Sequence, residues 1–375
     1  MSDNGKKLAY FRRLCDYKNV YSPKFTITNE ILANIGLIEA AREVIENAPL
    51  IPLYETRFVK DAVLRTVHHG THLEGNDLTL NEVKKAIEGE SLVARERDIQ
   101  EVINYRNVLN YTEEQERQRA QKGKYAQSML KKIHELTCQR LLEEGSLGQY
   151  RQTQVVVKNG FTGEVTFRPP PAVEVPFLLE DFFIWLNDER GSKIHPVLRA
   201  GITHYYLVAV HPFVEGNGRA ARAFATLVLF MENYDIRKFF SLEEYFDKDA
   251  FAYYQSLAEV SNQSEDLNKR DLTPWLNYFT QAMAVELTRI KEKIKRLSTD
   301  LKIKNKIGGS PIPLNERQIK LMEYLQTNGS ITTPEARKIL PEYSDDTLVR
   351  DFNYLNKRGI IKKEGKTKAA RYVLK

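Results

Sequence analysis

Twelve consecutive residues, His211-Pro212-Phe213-Val214-Glu215-Gly216-Asn217-Gly218-Arg219-Ala220-Ala221-Arg222, hold most of the chemistry this chain could perform. They combine a titratable base, a carboxylate, two glycines flanking an amide, and two arginines three positions apart. That set suits a polyphosphate. Glycines at 216 and 218 let the backbone approach an anion closely. Arg219 and Arg222 offer fork-shaped donors to phosphate oxygens. Glu215 would repel those oxygens unless a cation lay between them, which points to Mg²⁺. His211 stands beside the site as a general base, since neutral imidazole within hydrogen-bond reach of a hydroxyl can take its proton. Asn217 alone would read as a helix cap and a lone histidine as a core residue; the ordered combination carries the functional reading. The Gly-x-x-x-x-Gly-Lys-Ser/Thr pattern of a P-loop is missing from this stretch.

These residues need elements to hold them. The apolar run Tyr205 to Val210 leads in and Phe224 to Phe230 leads out. A buried helix, a loop and a second buried helix follow from that pattern. The polar cluster then sits at a helix N-terminus, where unpaired N–H groups favour an anion. Upstream, apolar spacing predicts helices over 29–46, 55–71, 80–88, 92–122 and 125–144. Gln154 to Lys158 and Glu164 to Phe167 read as a hairpin around Asn159-Gly160, closed off by Pro169–Pro171. Further helices are predicted over 176–187, 193–210, 247–261 and 273–306. A lone hairpin in a helical protein is marginal unless it packs or binds something.

The twelve residues resemble the signature of the Fic (filamentation induced by cAMP) family, His-x-Phe-x-(Asp/Glu)-Gly-Asn-Gly-Arg-x-x-Arg, at every defined position. Gly148-Gln149-Tyr150-Arg151, Gly163 to Phe167, Pro169 to Ala172 and Val175-Pro176 resemble the segment preceding that signature. Glu74-Gly75-Asn76 with Leu78-Thr79-Leu80 resembles an inhibitory segment of one class. The resemblance implies transfer of AMP from ATP to a Ser/Thr/Tyr hydroxyl of a protein target. It implies His211 as base, Glu215 on the metal, and Gly216, Asn217, Gly218, Arg219 and Arg222 around the phosphates. Tyr253 and Tyr254 would line the adenine pocket, with Ser261 and Asn262 where an asparagine is often found. The 154–167 hairpin would align the target segment by strand addition. Glu74 would pair with Arg222 and block productive ATP binding. The family motif there is Ser/Thr-x-x-x-Glu-Gly/Asn, whereas this chain has Gly70 four residues before Glu74.

Composition bounds the rest. The chain has 375 residues, 42% hydrophobic and 28% charged, enough for two or three domains. No apolar run approaches the ~20 residues of a membrane span, and the N-terminus lacks a signal-peptide core. Cys15 and Cys138 give neither a disulfide framework nor zinc spacing, so a cytoplasmic location is expected. His68, His69 and His72 read as structural polar residues rather than a zinc site, and His204 as a core residue. The net charge is +6, and residues 310–375 hold thirteen Lys/Arg against eight Asp/Glu.

Beyond the basic tract at Lys302–Lys306 and Gly308-Gly309-Ser310-Pro311, helices at 315–327, 333–340 and 344–358 and a two-stranded wing resemble a winged helix-turn-helix. Arg350, Asn353, Lys357 and Arg358 lie on its third helix; Lys362, Lys363, Lys366 and Lys368 lie on its wing. DNA and a protein partner both suit it, and Asp346 and Asp351 dilute the charge.

The expected fold is mainly α: a Fic helical core with a β-hairpin flap plus the winged helix-turn-helix. The expected divisions are 1–110, an N-terminal helical region with the inhibitory segment; 111–300, the core; 301–312, a linker; and 313–375, the winged helix. The expected function is a self-inhibited protein AMPylator using Mg-ATP. A protein de-AMPylase, and a DNA-binding regulator whose core senses nucleotide, are the alternatives. Partners expected are the docked protein target, ATP, DNA at the winged helix and a second copy of the chain, with no membrane.

Overall fold

Residues 21–48, 50, 52–118, 124–158, 165–306, 314–365 and 370–375 are described by a computed structural model of the protein. The irregular N-terminal stretch to residue 20 with Cys15, the hairpin turn at 159–164, the glycine-rich linker at 307–313 and the wing lysines Lys366 and Lys368 lie outside the described residues. The chain divides into two units, 1–295 and 296–375. The expected boundary at 110–111 falls inside a helix, and the last helix of the first unit runs on to Lys306.

Local chemistry sets many of the helix ends. Helix α1 spans Asn29–Glu46, and Thr28 caps it by accepting from the Ile31 N–H. Helix α2, Pro52–His72, starts on a proline, whose missing N–H costs nothing there. Helix α3, Leu80–Glu88, opens with a capping box between Thr79 and Glu82 and closes on left-handed Gly89. Helix α4 is Glu96–Arg117 and α5 is Gln127–Cys138. Strands β1, Val157–Lys158, and β2, Val165–Phe167, pair antiparallel with Val157 opposite Phe167. Then come α6, Val175–Asn187, and the short α7, Glu189–Ser192.

The centre of this unit is α8, Pro196–Val210, packed along α9, Asn217–Met231, with α4 and α5 against α9. Every residue of α8 from Val197 to Val210 is buried except Val208. The predicted 247–261 helix is two: α10, Leu242–Lys248, and α11, Ala250–Ser261, broken at Asp249. Asp249 is non-helical because its side chain caps α11 through the Ala252 N–H. Helix α12, Thr273–Lys306, completes the unit. Its Trp275 donates to the Gly201 carbonyl at 2.7 Å, and a Cβ on Gly201 would lie 2.9 Å from Leu276, so the two helices meet at a glycine.

The second unit runs α13 (Glu316–Asn328), β3 (Ser330–Thr332), α14 (Thr333–Ile339), α15 (Asp345–Lys357), β4 (Ile361–Glu364) and β5 (Arg371–Leu374). Its sheet has the order β3-β5-β4, all antiparallel. The two-stranded wing expected from sequence therefore has a third strand. Ser330–Thr332 is too short to show alternation, and its pairing with β5 forms only in the folded unit. Among the described residues no helix is long and apolar enough to cross a membrane.

Candidate functional site

Helix α8 ends at His211, whose φ of 50° and ψ of 62° lie in the left-handed region. That is uncommon for a residue with a side chain and needs support. Arg151 supplies it. Its Nε donates to the His211 carbonyl at 2.7 Å, its backbone N–H to the Pro212 carbonyl at 2.8 Å, and its guanidinium to the Pro170 carbonyl. The His211 Nδ1 lies 3.3 Å from the Val208 carbonyl. A proton on Nδ1 satisfies that oxygen and leaves Nε2 with a free lone pair. Burial pushes the imidazole down to about 4, aided by the charge of Arg151 and opposed by the Val208 contact and by Glu74. The ring is neutral at pH 7, the state a base requires.

The loop from His211 to α9 is braced internally. Asn217 accepts from the Phe213 N–H at 2.8 Å and donates to the Phe213 carbonyl at 2.9 Å. Its amide is engaged within the loop, so what it can offer an anion is its main-chain N–H at the start of α9. Phe213 is fully buried and stacks on His134, with centroids 3.8 Å apart and planes at 7°. His134 Nε2 donates to the Glu215 carbonyl at 3.1 Å, and its Nδ1 accepts from the Gly148 N–H at 3.0 Å. Gly216 has φ 74°, and a Cβ there would lie 2.6 Å from Cys138 Sγ. A Cβ on Gly218 would lie 2.3 Å from Glu74 Oε1, so a side chain there would displace the Glu74 carboxylate.

Charge converges on this helix terminus. Arg219 is buried, with Nη1 3.5 Å from Glu101 and Nη2 3.8 Å from Glu215. Its Nε and Nη1 have no hydrogen-bond partner. Orphaned donors at a buried guanidinium are what an incoming phosphate would satisfy. Glu215 forms an ion pair with Arg97 of α4. A cavity of about 240 Å³ opens between Glu74, Arg97, Glu215 and Arg219. Among the described residues no group of three or more His, Cys, Asp or Glu side chains could hold a metal. Four carboxylates, those of Glu74, Asp98, Glu101 and Glu215, line this space; Mg²⁺ is commonly held by one or two carboxylates plus substrate phosphates, so Glu215 fits that role.

Glu74 and Arg222, distant in sequence, meet. Arg222 Nη2 donates to Glu74 Oε1 at 2.8 Å and to the Gly70 carbonyl at 2.9 Å. Burial pushes the Glu74 carboxyl up, but Arg222 and Arg219 outweigh it and hold the group below its ordinary range. The carboxylate therefore lies as an anion where the signature offers anion donors. Tyr254 donates its hydroxyl to the Leu73 carbonyl at 3.0 Å, tying the same segment to α11.

Residues 124–229 match the Fic/DOC family. The chain carries a Fic domain. The chain is 30% identical over 190 residues to the protein adenylyltransferase Fic of Drosophila grimshawi, which spans 48% of this chain and 35% of that protein. It is 28% identical over 252 residues to that of Drosophila virilis, 60% of this chain and 46% of the relative. The chain thus spans less than half the length of these curated relatives. A Fic family protein from Desulfovibrio desulfuricans G20 shares the fold with a TM-score of 0.63 at 24% identity, over 95% of this chain and 98% of that one. A Fic-domain signaling protein from Bacteroides thetaiotaomicron VPI-5482 has a TM-score of 0.58 at 23% identity, over 70% and 97%.

Of the residues expected to act together, the fold brings His211, Glu215, Gly216, Asn217, Gly218, Arg219, Arg222 and Glu74 to one place. The tyrosine pair divides. Tyr254 is half-exposed beside the Glu74 segment, while Tyr253 is buried, bonded to His204 Nε2 at 3.1 Å and stacked on Phe246. Ser261 and Asn262 line a separate groove of about 1000 Å³ running along Phe167 and Pro170 at the base of the flap. Sequence reasoning gave no role to His134, Arg97, Glu101 or Tyr105, and none to Arg151 beyond its place in a matching segment. Arg97 and Glu101 were visible only as an i,i+4 pair on a polar helix, a pattern that ordinarily marks a solvated face.

Proposed function

We propose that this chain is a self-inhibited protein adenylyltransferase. It takes ATP at the start of α9 and transfers AMP to a hydroxyl of a protein segment docked along the 154–167 flap. The observation that carries this reading is a neutral His211, its Nδ1 against the Val208 carbonyl, in the same signature loop and helix as the orphaned donors of Arg219. The names of the curated relatives support the same chemistry. The target hydroxyl gives its proton to His211 Nε2 as its oxygen attacks the α-phosphorus. The α–β phosphoanhydride bond breaks and pyrophosphate leaves. Main-chain N–H groups of Gly216, Asn217 and Gly218, with Arg219, stabilise charge on the phosphates. Glu215 would hold Mg²⁺ when it is bound, and the ion would supply further positive charge. Glu215 must first leave Arg97.

Glu74 restrains the reaction. Its carboxylate takes the Arg222 donor that an outer phosphate needs, and like charges at one guanidinium compete. The test is labelling from α-labelled ATP. Glu74→Gly should raise self- and target-labelling at matched ATP, and Arg222→Ala should not, because it also removes the phosphate ligand. A glycine variant no more active than wild type sinks the inhibitory reading and leaves AMP removal, with Glu74 positioning water, as the reading to test.

A second activity is favoured by one observation in the second unit. Asp351 does not dilute the charge of α15: it is buried and held by Arg317 and by Gln318 Nε2 at 2.8 Å. What remains exposed along one stripe of that helix is Asp346, Arg350, Asn353 and Lys357. Together with Lys362 and Lys363 on β4, this supports duplex DNA as a ligand of a winged helix.

A further inference from the structure

Helix α10 is only seven residues long, yet three of its carboxylates reach the helices around Glu74. Glu243 accepts from the Tyr105 hydroxyl on α4 at 3.0 Å. Glu244 pairs with Arg65 on α2 and with Arg289 at 2.9 Å. Asp247 takes the last turn of α2. Its two oxygens lie 2.7 Å from His69 Nδ1 and 2.7 Å from His72 Nδ1. The histidines are three apart on one helix, so both rings face one carboxylate. Burial pushes the Asp247 carboxyl up, but the donors from His69 and His72 outweigh it and keep it below the ordinary range.

The turn that Asp247 grips is the one from which Glu74 projects. The His72 carbonyl accepts the Gly75 N–H at 2.9 Å, and the Thr71 carbonyl accepts the Glu74 N–H at 3.0 Å. Only Leu73 lies between His72 and Glu74, so no free linker joins them. We propose that Asp247 is a positioning residue for the inhibitory glutamate: by tying His69 and His72 to α10 it keeps Glu74 on Arg222. The proposal rests on the reading of Glu74 given under Proposed function. Without the tie, the segment keeps the Tyr254 bond to Leu73 and the Arg222 bond to Gly70. Release is therefore partial, smaller than that of Glu74→Gly.

The experiment measures self-labelling from α-labelled ATP for full-length chains. Asp247→Ala and His72→Ala are made alone and on Glu74→Gly; the His72 side chain is 53% exposed, so its removal spares the core. Each single variant should raise labelling about tenfold, the factor that corresponds to ~1.4 kcal/mol, near the low end of what a hydrogen bond to a charged group contributes. Asp247→Asn keeps an acceptor for one ring and should fall between. On Glu74→Gly none should raise labelling further, because the lock is already absent; a merely structural Asp247 would alter activity in both backgrounds alike. If Glu74→Gly raises labelling and neither clasp variant does, the clasp is wrong and the inhibitory reading stands. Equal rises in both backgrounds also overturn the clasp. If Glu74→Gly itself raises nothing while ATP still binds, both readings fall together.

Discussion

The ring of Tyr105 occupies the space a side chain at position 70 would need: a Cβ built on Gly70 would lie 2.4 Å from Tyr105 Cε1. This is the physical counterpart of the missing Ser or Thr in the segment ahead of Glu74. Tyr105 is fully buried and carries its hydroxyl to Glu243 rather than to the segment. With no side chain at 70, the Gly70 carbonyl is open to Arg222, which donates to it at 2.9 Å.

Gly70→Ala should therefore overpack this contact and destabilise the chain by about 1–3 kcal/mol. It should also raise self-labelling, because displacing the end of α2 moves Glu74. Thermal melting and labelling from α-labelled ATP check the two effects. A variant as stable as wild type would show that Tyr105 yields freely.

His211→Ala on the Glu74→Gly background should retain ATP binding and lose transfer by about 10²–10⁴-fold, the usual contribution of a general base. Burial holds His211 down to about 4, so the wild-type base is unprotonated at neutral pH. Activity limited by this group should be flat from pH 8 to 6 and fall as pH drops toward 4. A base limb near pH 7 would point to another residue.

Buried neutral histidines also set the acid stability. Burial pushes His134 and His211 down to about 4 and His204 to about 3. The unfolded chain binds protons at these rings from about pH 6.5 downward. It therefore binds more protons than the folded chain between about pH 6.5 and 4, and stability rises with pH across that window. Denaturant titrations at pH 7 and 5 should show the loss at the lower pH. Equal stability at both would contradict the buried neutral assignments.

Arg97 and Mg²⁺ compete for Glu215 in this reading. Arg97→Ala should lower the Mg²⁺ concentration for half-maximal labelling, while Glu215→Ala should weaken metal-dependent labelling and excess EDTA should abolish it in the wild type. Wild-type labelling unaffected by EDTA would remove the metal role.

DNA binding by the full chain should weaken steeply with salt. If Arg350 and Lys357 each contact phosphate, replacing both with Glu should reduce the slope of log K against log salt by roughly 2, at about 0.9 per contact. AMP transfer should be unchanged. No retardation of duplex DNA at low salt would leave the unit as a protein-interaction module.

The sequence alone determined what could be written in neighbouring positions. The base, the carboxylate, the glycines and the two arginines lie within twelve residues, so their type and order were visible. Periodicity marked the helices on either side, and caps such as Thr79 with Glu82 and Ser344 with Thr347 N–H fixed boundaries by local bonds. Even the meeting of Glu74 with Arg222 was legible, but only through resemblance: nothing in their spacing of 148 residues implies contact.

Tertiary structure decided everything contributed by elements far apart in the chain. Arg151 supports the left-handed His211, and His134 carries the carbonyl of Glu215, because α5 and the loop after it pack beside the signature. Arg97 and Glu101 carry no signal in the sequence beyond an i,i+4 spacing, and only the fold turns that face of α4 toward Glu215 and Arg219. Tyr253 looked like a ligand contact until the aromatic core behind α8 claimed it. The charge of α15 depended on whether Asp351 faced solvent, and Arg317 drew it inward. A side chain's type is written in the sequence, but its role depends on which neighbours share its surroundings once water is excluded, and packing alone assigns those neighbours.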